Sequence, residues 1–246
     1  MSNRFLKGGS KMKKVVIYVI IVVAVFLTIP IIRANRLAQQ SYGYFRSVTV
    51  IVDAGHGGRD GGASSKSGVV ERDLVFDITK MVEEHLRLNG FNVVLTRENE
   101  CDLASEYAKN RKKEDLACRV RIFNETDSAI AVSIHANAID NTRWSGAQVF
   151  YDAKSLENKE LATHIMNAMR NNIDGLKRDQ RPISNIYVLR HSRIPTALVE
   201  VGFLSNAAEA ELLADVNYQK LLAYAIFEGI LSFVETQHST EVIEGE

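Results

Sequence analysis

Between residues 47 and 234, apolar runs of strand length take turns with longer stretches of helical period, and few folds accommodate that alternation. SVTVIVDAG (47–55) is β-branched and stops at a glycine. Glu71 to Asn89 carries Leu74, Ile78, Met81, Val82 and Leu86 at helical spacing, and Gly90 follows as a stop. FNVVLTR (91–97), AIAVSIHA (129–136), GAQVFYD (146–152), IYVLRH (186–191) and TALVEVGF (196–203) read as further strands. Between and after them, Leu116–Glu125, Glu157–Ile173 and Tyr218–Val234 read as helices, and Asn206-x-x-Glu209 as a helix-start box. The pattern predicts one α/β layered domain over 48–236, with a mixed central sheet and helices on both faces.

Ahead of this domain lies a different kind of segment. Val15 to Ile32 is eighteen residues without a charge, preceded by a basic stretch over 1–14. As a helix it would rise about 27 Å, close to the hydrocarbon thickness of a bilayer. It exceeds the apolar core of an ordinary signal peptide and is followed by a poor cleavage site around Ala34 and Ala38, so an uncleaved signal anchor is favoured over a cleaved signal. Positive charge before the span keeps the N-terminus in the cytoplasm and sends the rest across. The reading is therefore a cytoplasmic N-terminus (1–14), an anchor or signal (15–32), a juxtamembrane linker (33–47), the domain, and an acidic tail (237–246), expected to be disordered from Ser239 to Glu246. The domain is expected outside the cytoplasm, membrane-anchored or secreted.

Charge excludes one class of partner. The 30 basic and 30 acidic residues balance, but five of the basic ones lie in residues 1–32, where no acid occurs. The remainder is net acidic, with no broad basic field for nucleic acid. Lys109, Arg111, Lys112 and Lys113 cluster in a polar segment and read as a solvated helix face. Cys101 and Cys118, the two cysteines, stand in no CxxC motif and read as free thiols.

The chemistry concentrates at strand ends, where α/β sheets place their ligands. DAGHGGRDGG sets His56 among five glycines and lacks the lysine and hydroxyl of a phosphate loop. Its glycines let backbone pass close to a neighbour and free His56 to face a cleft. VSIHAN puts His135 at the tip of an apolar strand, and ALVEVGF sets Glu200 inside another. A carboxylate there, buried and unpaired, would cost several kcal/mol. It must face a metal, a base or solvent, or else pair with Arg119, Arg121 or Arg190. His85, His164, His191 and His238 fit structural or surface roles. Two histidines with Glu71, at the start of a helix, and Glu200 match the His and carboxylate sets that hold zinc and leave a position for water. These residues alone do not divide the two glutamates between metal ligand and general base. No GxSxG elbow or activated thiol offers a competing nucleophile.

Together the motifs IVDAGHGGRDGGA, VVERD, VVLTR, RVRIFN, SIHAN and VEVGFLSN resemble, in order, the zinc-dependent N-acetylmuramoyl-L-alanine amidases. In its short length and lack of wall-binding repeats the chain looks most like the CwlD-type, germination-specific amidases of the spore cortex. The resemblance implies one zinc ion on His56, Glu71 and His135, and Glu200 as the catalytic carboxylate. It implies a peptidoglycan substrate, cleaved between the lactyl group of muramic acid and L-alanine of the stem peptide, on the way to muramic-δ-lactam and germination. A zinc peptidase cutting within the stem, or a non-catalytic wall-binding protein, are the competing expectations. An accessory protein is compatible with the missing wall-binding module, and no residue points to it.

Overall fold

The computed structural model describes residues 17–20, 24, 26–32 and 43–244, and the chain divides into two units, 1–43 and 44–246. In the first unit the described residues are helical and exposed. Among the described residues no helix is long and apolar enough to cross a membrane. The anchor expected over 15–32 lies partly outside them, as do residues 1–14 and 33–42.

The second unit is built on a six-stranded sheet. In chain order its elements are β1 (Thr49–Ala54), α1 (Glu71–Leu88), β2 (Asn92–Leu95), α2 (Arg111–Glu125), β3 (Ala129–Asn137), β4 (Gln148–Tyr151) and α3 (Leu156–Asn172). There follow β5 (Arg181–Pro182), α4 (Tyr187–His191), β6 (Thr196–Phe203), α5 (Ala207–Ala214) and α6 (Val216–Glu244). The strands lie in the order β2-β1-β3-β6-β4-β5. All neighbours are parallel except β4 against β6, so the sheet is mixed, as expected. β1, β3 and β6 are the apolar runs of the sequence because central parallel strands are buried on both faces.

Period-2 alternation sends the two halves of each strand to different surroundings. Val50, Val52, Ile130, Val132, Ala197 and Val199 join the main core with α1, α3 and α6, through residues such as Ile78, Ile165 and Ile226. Ile51, Ala129 and Ala131 pack instead on Phe123 of α2 and Val188 of α4. Helices thus cover both faces, unequally. The second face ends toward the strands' C-terminal side in Asp53, Ser133, His135 and Glu200, brought side by side by the pairings Asp53↔Ser133 and His135↔Glu200.

Two local expectations are corrected, and a third is met at its cap and refined at its partner. IYVLRH is not a strand: residues 187–191 form the short helix α4. So short an apolar run does not distinguish the two by period. Its C-terminal carbonyls are held by Lys154, whose Nζ donates to Leu189, Arg190 and Ser192 oxygens at 2.6–2.8 Å. Second, the acidic tail is helical as far as Glu244, the end of α6. No glycine or proline lies between Gly229 and Gly245, and His238 stacks on Tyr44 with centroids 4.0 Å apart. Third, the Asn206 side chain accepts from Glu209 N as the start box requires, but Glu209 does not reach back to its cap residue. It accepts instead from Phe203 N and Gly146 N, tying the end of β6 to the loop before β4.

Candidate metal centre and active-site cleft

The ends of β1, β3 and β6 open into a cleft of about 440 Å³ walled by α2 and the segment leading into α4. His56 lies two residues beyond β1 in the left-handed region, φ 61°. Such a backbone costs a non-glycine residue about 1–3 kcal/mol and persists only where its surroundings enforce it. Glu71 is the first residue of α1, where the positive end of the helix dipole favours a carboxylate. His135 lies near the end of β3 and Glu200 beside it on β6.

Glu71 is the hub. Its Oε1 lies 3.0 Å from His56 Nε2 and 3.0 Å from His135 Nδ1, and also accepts from Ala136 N at 3.1 Å. Oε2 accepts from Ala63 N at 2.8 Å. The three donor atoms lie within 4.8 Å of one another. Bonds of about 2.0–2.1 Å to one tetrahedral ion separate neighbouring ligands by about 3.3 Å, so His56, Glu71 and His135 could hold a zinc-sized cation, which would supply Lewis acidity there. Glycines admit the crowding. A Cβ on Gly62, at φ +67°, would meet Glu71 Oε2 at 2.4 Å, and one on Gly55 would meet the His135 ring at 2.3 Å.

Electrostatics separates the carboxylates of the cleft. Burial pushes the Glu71 carboxyl up, but the hydrogen bonds and charge of both histidines outweigh it and hold it well below the usual range. Burial lowers the His135 imidazole, and the hydrogen bond to Glu71 with the charges of Glu200, Glu71 and Asp53 more than restores it. Glu200 moves the other way. Burial, aided by the charge of Glu71 and opposed by His135, raises it to about 7. Its Oε2 is buried with no hydrogen-bond partner among the described residues. None of the three arginines considered as its partner pairs with it. Arg119 is spent on Asp53 and Asp115, and Arg121 reaches Cys118 Sγ. Arg190 is exposed.

Several residues of the site carry no role in the sequence reading. Asp60 Oδ1 lies 3.1 Å from His56 Nδ1 and leaves Nε2 facing Glu71, the arrangement that fixes a ligating imidazole. Lys112, read as part of a solvated face, lies 3.6 Å from the other oxygen of Asp60 and lines the cleft. Asp53 receives Thr96 and Ser133 hydroxyls at 2.6 Å each and pairs with Arg119. The same signal that exposed Glu200, a carboxylate within a β-branched run, was present at Asp53. Histidines 85, 164 and 191 stay out of the cluster: His85 stacks on Phe227, His164 bonds Ser232, and His191 stacks on Tyr187. The two cysteines are free.

A layered α/β sheet with grouped metal-donor side chains and a buried carboxylate at its strand ends has the layout of a hydrolase. Residues 50–232 match the N-acetylmuramoyl-L-alanine amidase family, and the chain belongs to it. The germination-specific N-acetylmuramoyl-L-alanine amidase of Bacillus subtilis (strain 168) is 41% identical over 187 residues, 75% of this chain and 78% of that protein. Among solved structures, the CwlD amidase from Clostridioides difficile, in complex with the GerS lipoprotein, superposes with a TM-score of 0.74 at 36% identity. The match covers 76% of this chain and 98% of that one. AmiC2 of Nostoc punctiforme, also an N-acetylmuramoyl-L-alanine amidase, gives 0.67 at 34% identity, over 77% and 98%.

Proposed function

We propose that this chain is a spore-cortex amidase that cleaves peptidoglycan between the lactyl group of N-acetylmuramic acid and L-alanine, using one zinc ion on His56, Glu71 and His135 and Glu200 as general base. The family and the germination-specific relative support the reaction and the setting. The observation that carries the division of labour is the orphaned Glu200 Oε2 beside three converging donors.

When bound there, zinc supplies Lewis acidity at its open position. Glu200 holds the base position: raised toward neutrality, Oε2 is poised to take a proton from an attacking water and return it to the departing amine of L-alanine. The carbonyl carbon gains the water oxygen as its bond to nitrogen breaks, leaving a lactyl carboxylate on the glycan and a free peptide. Asp60 keeps His56 in the tautomer that presents Nε2. Glycan from which peptides have been removed is the material from which muramic-δ-lactam forms.

Location and partners complete the proposal. The uncharged run over 15–32 anchors the enzyme outside the cytoplasm, in a spore former within the compartment where cortex is laid down, with residues 33–47 as linker. An accessory protein fits as well, since the CwlD amidase was solved in complex with a lipoprotein.

The test is digestion of purified cortex peptidoglycan with and without chelator, read by mass spectrometry. Free lactyl ends and intact stem peptides, lost with chelator and restored by zinc, are the expected outcome. New termini inside the stem would make the chain a peptidase, and release of neither product would leave only a wall-binding role.

A further inference from the structure

Two arginines take no part in the chemistry above: Arg97, from VVLTR, and Arg119, from RVRIFN. Their guanidinium groups converge on one short piece of backbone. Arg119 Nη1 donates to the Ala54 carbonyl at 2.6 Å, and its Nη2 donates to that of His56. Arg97 Nε donates to Ala54 O at 3.1 Å and Nη2 to Gly55 O at 3.2 Å. Three successive carbonyls ending at His56 are thus held by two side chains, each no more than 3% exposed. That is the external constraint a left-handed histidine needs.

The two guanidinium groups differ in what else they touch. Arg119 is neutralised by Asp53 and Asp115. Arg97 has no hydrogen-bonded carboxylate among the described residues. Its further partners are the carbonyls of Asn99 and Arg72, and the Phe76 ring, 4.8 Å from Cζ. Arg72 follows Glu71. Arg97 Nη2 therefore bridges, at 3.2 and 2.9 Å, the residue before one metal donor and the residue after another. A planar group with donors in a fixed fork suits that task, because it cannot lengthen one bond without tilting the others.

We propose that Arg97 is a positioning residue for the metal: its guanidinium sets the gap between the loop that carries His56 and the helix start that carries Glu71. The proposal rests on the reading that these residues, with His135, hold zinc. Function requires such donors to be held within about half an ångström of the productive geometry. The two segments also meet directly, Arg72 Nη1 donating to Gly58 O at 2.7 Å and Arg72 N to Gly61 O at 3.0 Å, and Arg97 braces that junction from outside both segments.

Arg97→Lys is the discriminating change. Lysine retains the positive charge, so its repulsion of a bound cation is conserved, and loses the fork. Zinc affinity is measured by competition with a chromophoric chelator at a temperature where both proteins are folded, and the cobalt form is examined by visible absorption. R97K is expected to bind zinc about 10–100-fold more weakly, with an altered cobalt band, as when other supports of metal ligands are removed. Ile78→Val, in the opposite core, is expected to lower the melting temperature and leave both readouts unchanged. Wild-type affinity in R97K, or an equal loss in I78V, would overturn the proposal. Should R97K melt below the assay temperature, Arg97→Ala with added ethylguanidinium supplies the test. Restored zinc affinity supports the positioning role; restored folding without restored affinity, or folding in neither form, places Arg97 in the core alone and overturns it. A wild-type protein that binds no zinc would instead break the metal reading beneath it.

Discussion

On one face of the central strands, Val50, Val52, Ile130, Val132, Ala197 and Val199 lie beneath three helices. On the other, Asp53, Ser133, His135 and Glu200 occupy alternate positions of the same strands, beneath α2, the five-residue α4 and the loop that carries His56. The first face is held by packing, which tolerates apolar exchanges that conserve volume. The second is held by partners, since a buried polar group is cheap when satisfied and costly when not. Asp53 and Glu200 show the range on that single face. Asp53, 1% exposed, has an arginine and two hydroxyls, which outweigh burial and hold its carboxyl below the usual range. Glu200 has an unsatisfied oxygen and rises to about 7. One carboxylate is tied into the structure, and the other keeps an unpartnered oxygen, as the base proposed above requires.

The comparison can be broken from either side. The largest effect is expected from Glu200→Gln, which keeps shape and removes the base. Peptide release from cortex peptidoglycan should fall about 10²–10⁴-fold. Zinc content by elemental analysis should stay at the wild-type value, and full activity would remove Glu200 from the reaction.

Next is Asp53→Asn. Leaving Arg119 with one of its two carboxylates should cost about 3–5 kcal/mol in urea unfolding. The acid limb sharpens this. A carboxyl whose folded pKa lies below its unfolded one contributes stability that is complete above the unfolded value, about 3.9. That contribution is lost as pH falls through the lower folded value. D53N should therefore flatten the stability profile of the metal-free protein below about pH 4; an unchanged acid slope would show that Asp53 does not supply it. The smallest effect belongs to the apolar face. Ile78→Val should cost only about 0.5–1.5 kcal/mol and leave activity intact, because one methyl is lost from a core with many other contacts.

Much of this was legible in the amino-acid order. β1, β3 and β6 were readable because central parallel strands are apolar throughout, and α1 because its buried side chains fall on one helical stripe. α4 was not, since Lys154, 35 residues before Leu189, supplies the contacts that close it. His56, His135 and Glu200 stood out as polar groups at or inside apolar runs. What remained hidden was connectivity. That Glu71 meets His135 depends on a contact 64 residues apart, and that Asp60 meets His56 depends on a left-handed backbone which no period encodes. Arg119 was visible as a possible partner for a buried acid, but its acids are Asp53 and Asp115 rather than Glu200.

The position of β6 has a consequence in time. It inserts between β3 and β4, both of which precede it in the chain, and pairs with both. The three candidate donors at 56, 71 and 135 are therefore synthesised well before Glu200, the base proposed above, and the sheet closes only when this late strand enters. Long-range parallel pairing of that kind is slow compared with local helix formation. On the proposed division of roles, an unfinished chain holds the residues that would bind the metal before it holds the one that would accept the proton, and hydrolytic competence would arrive last, with the strand that completes the sheet.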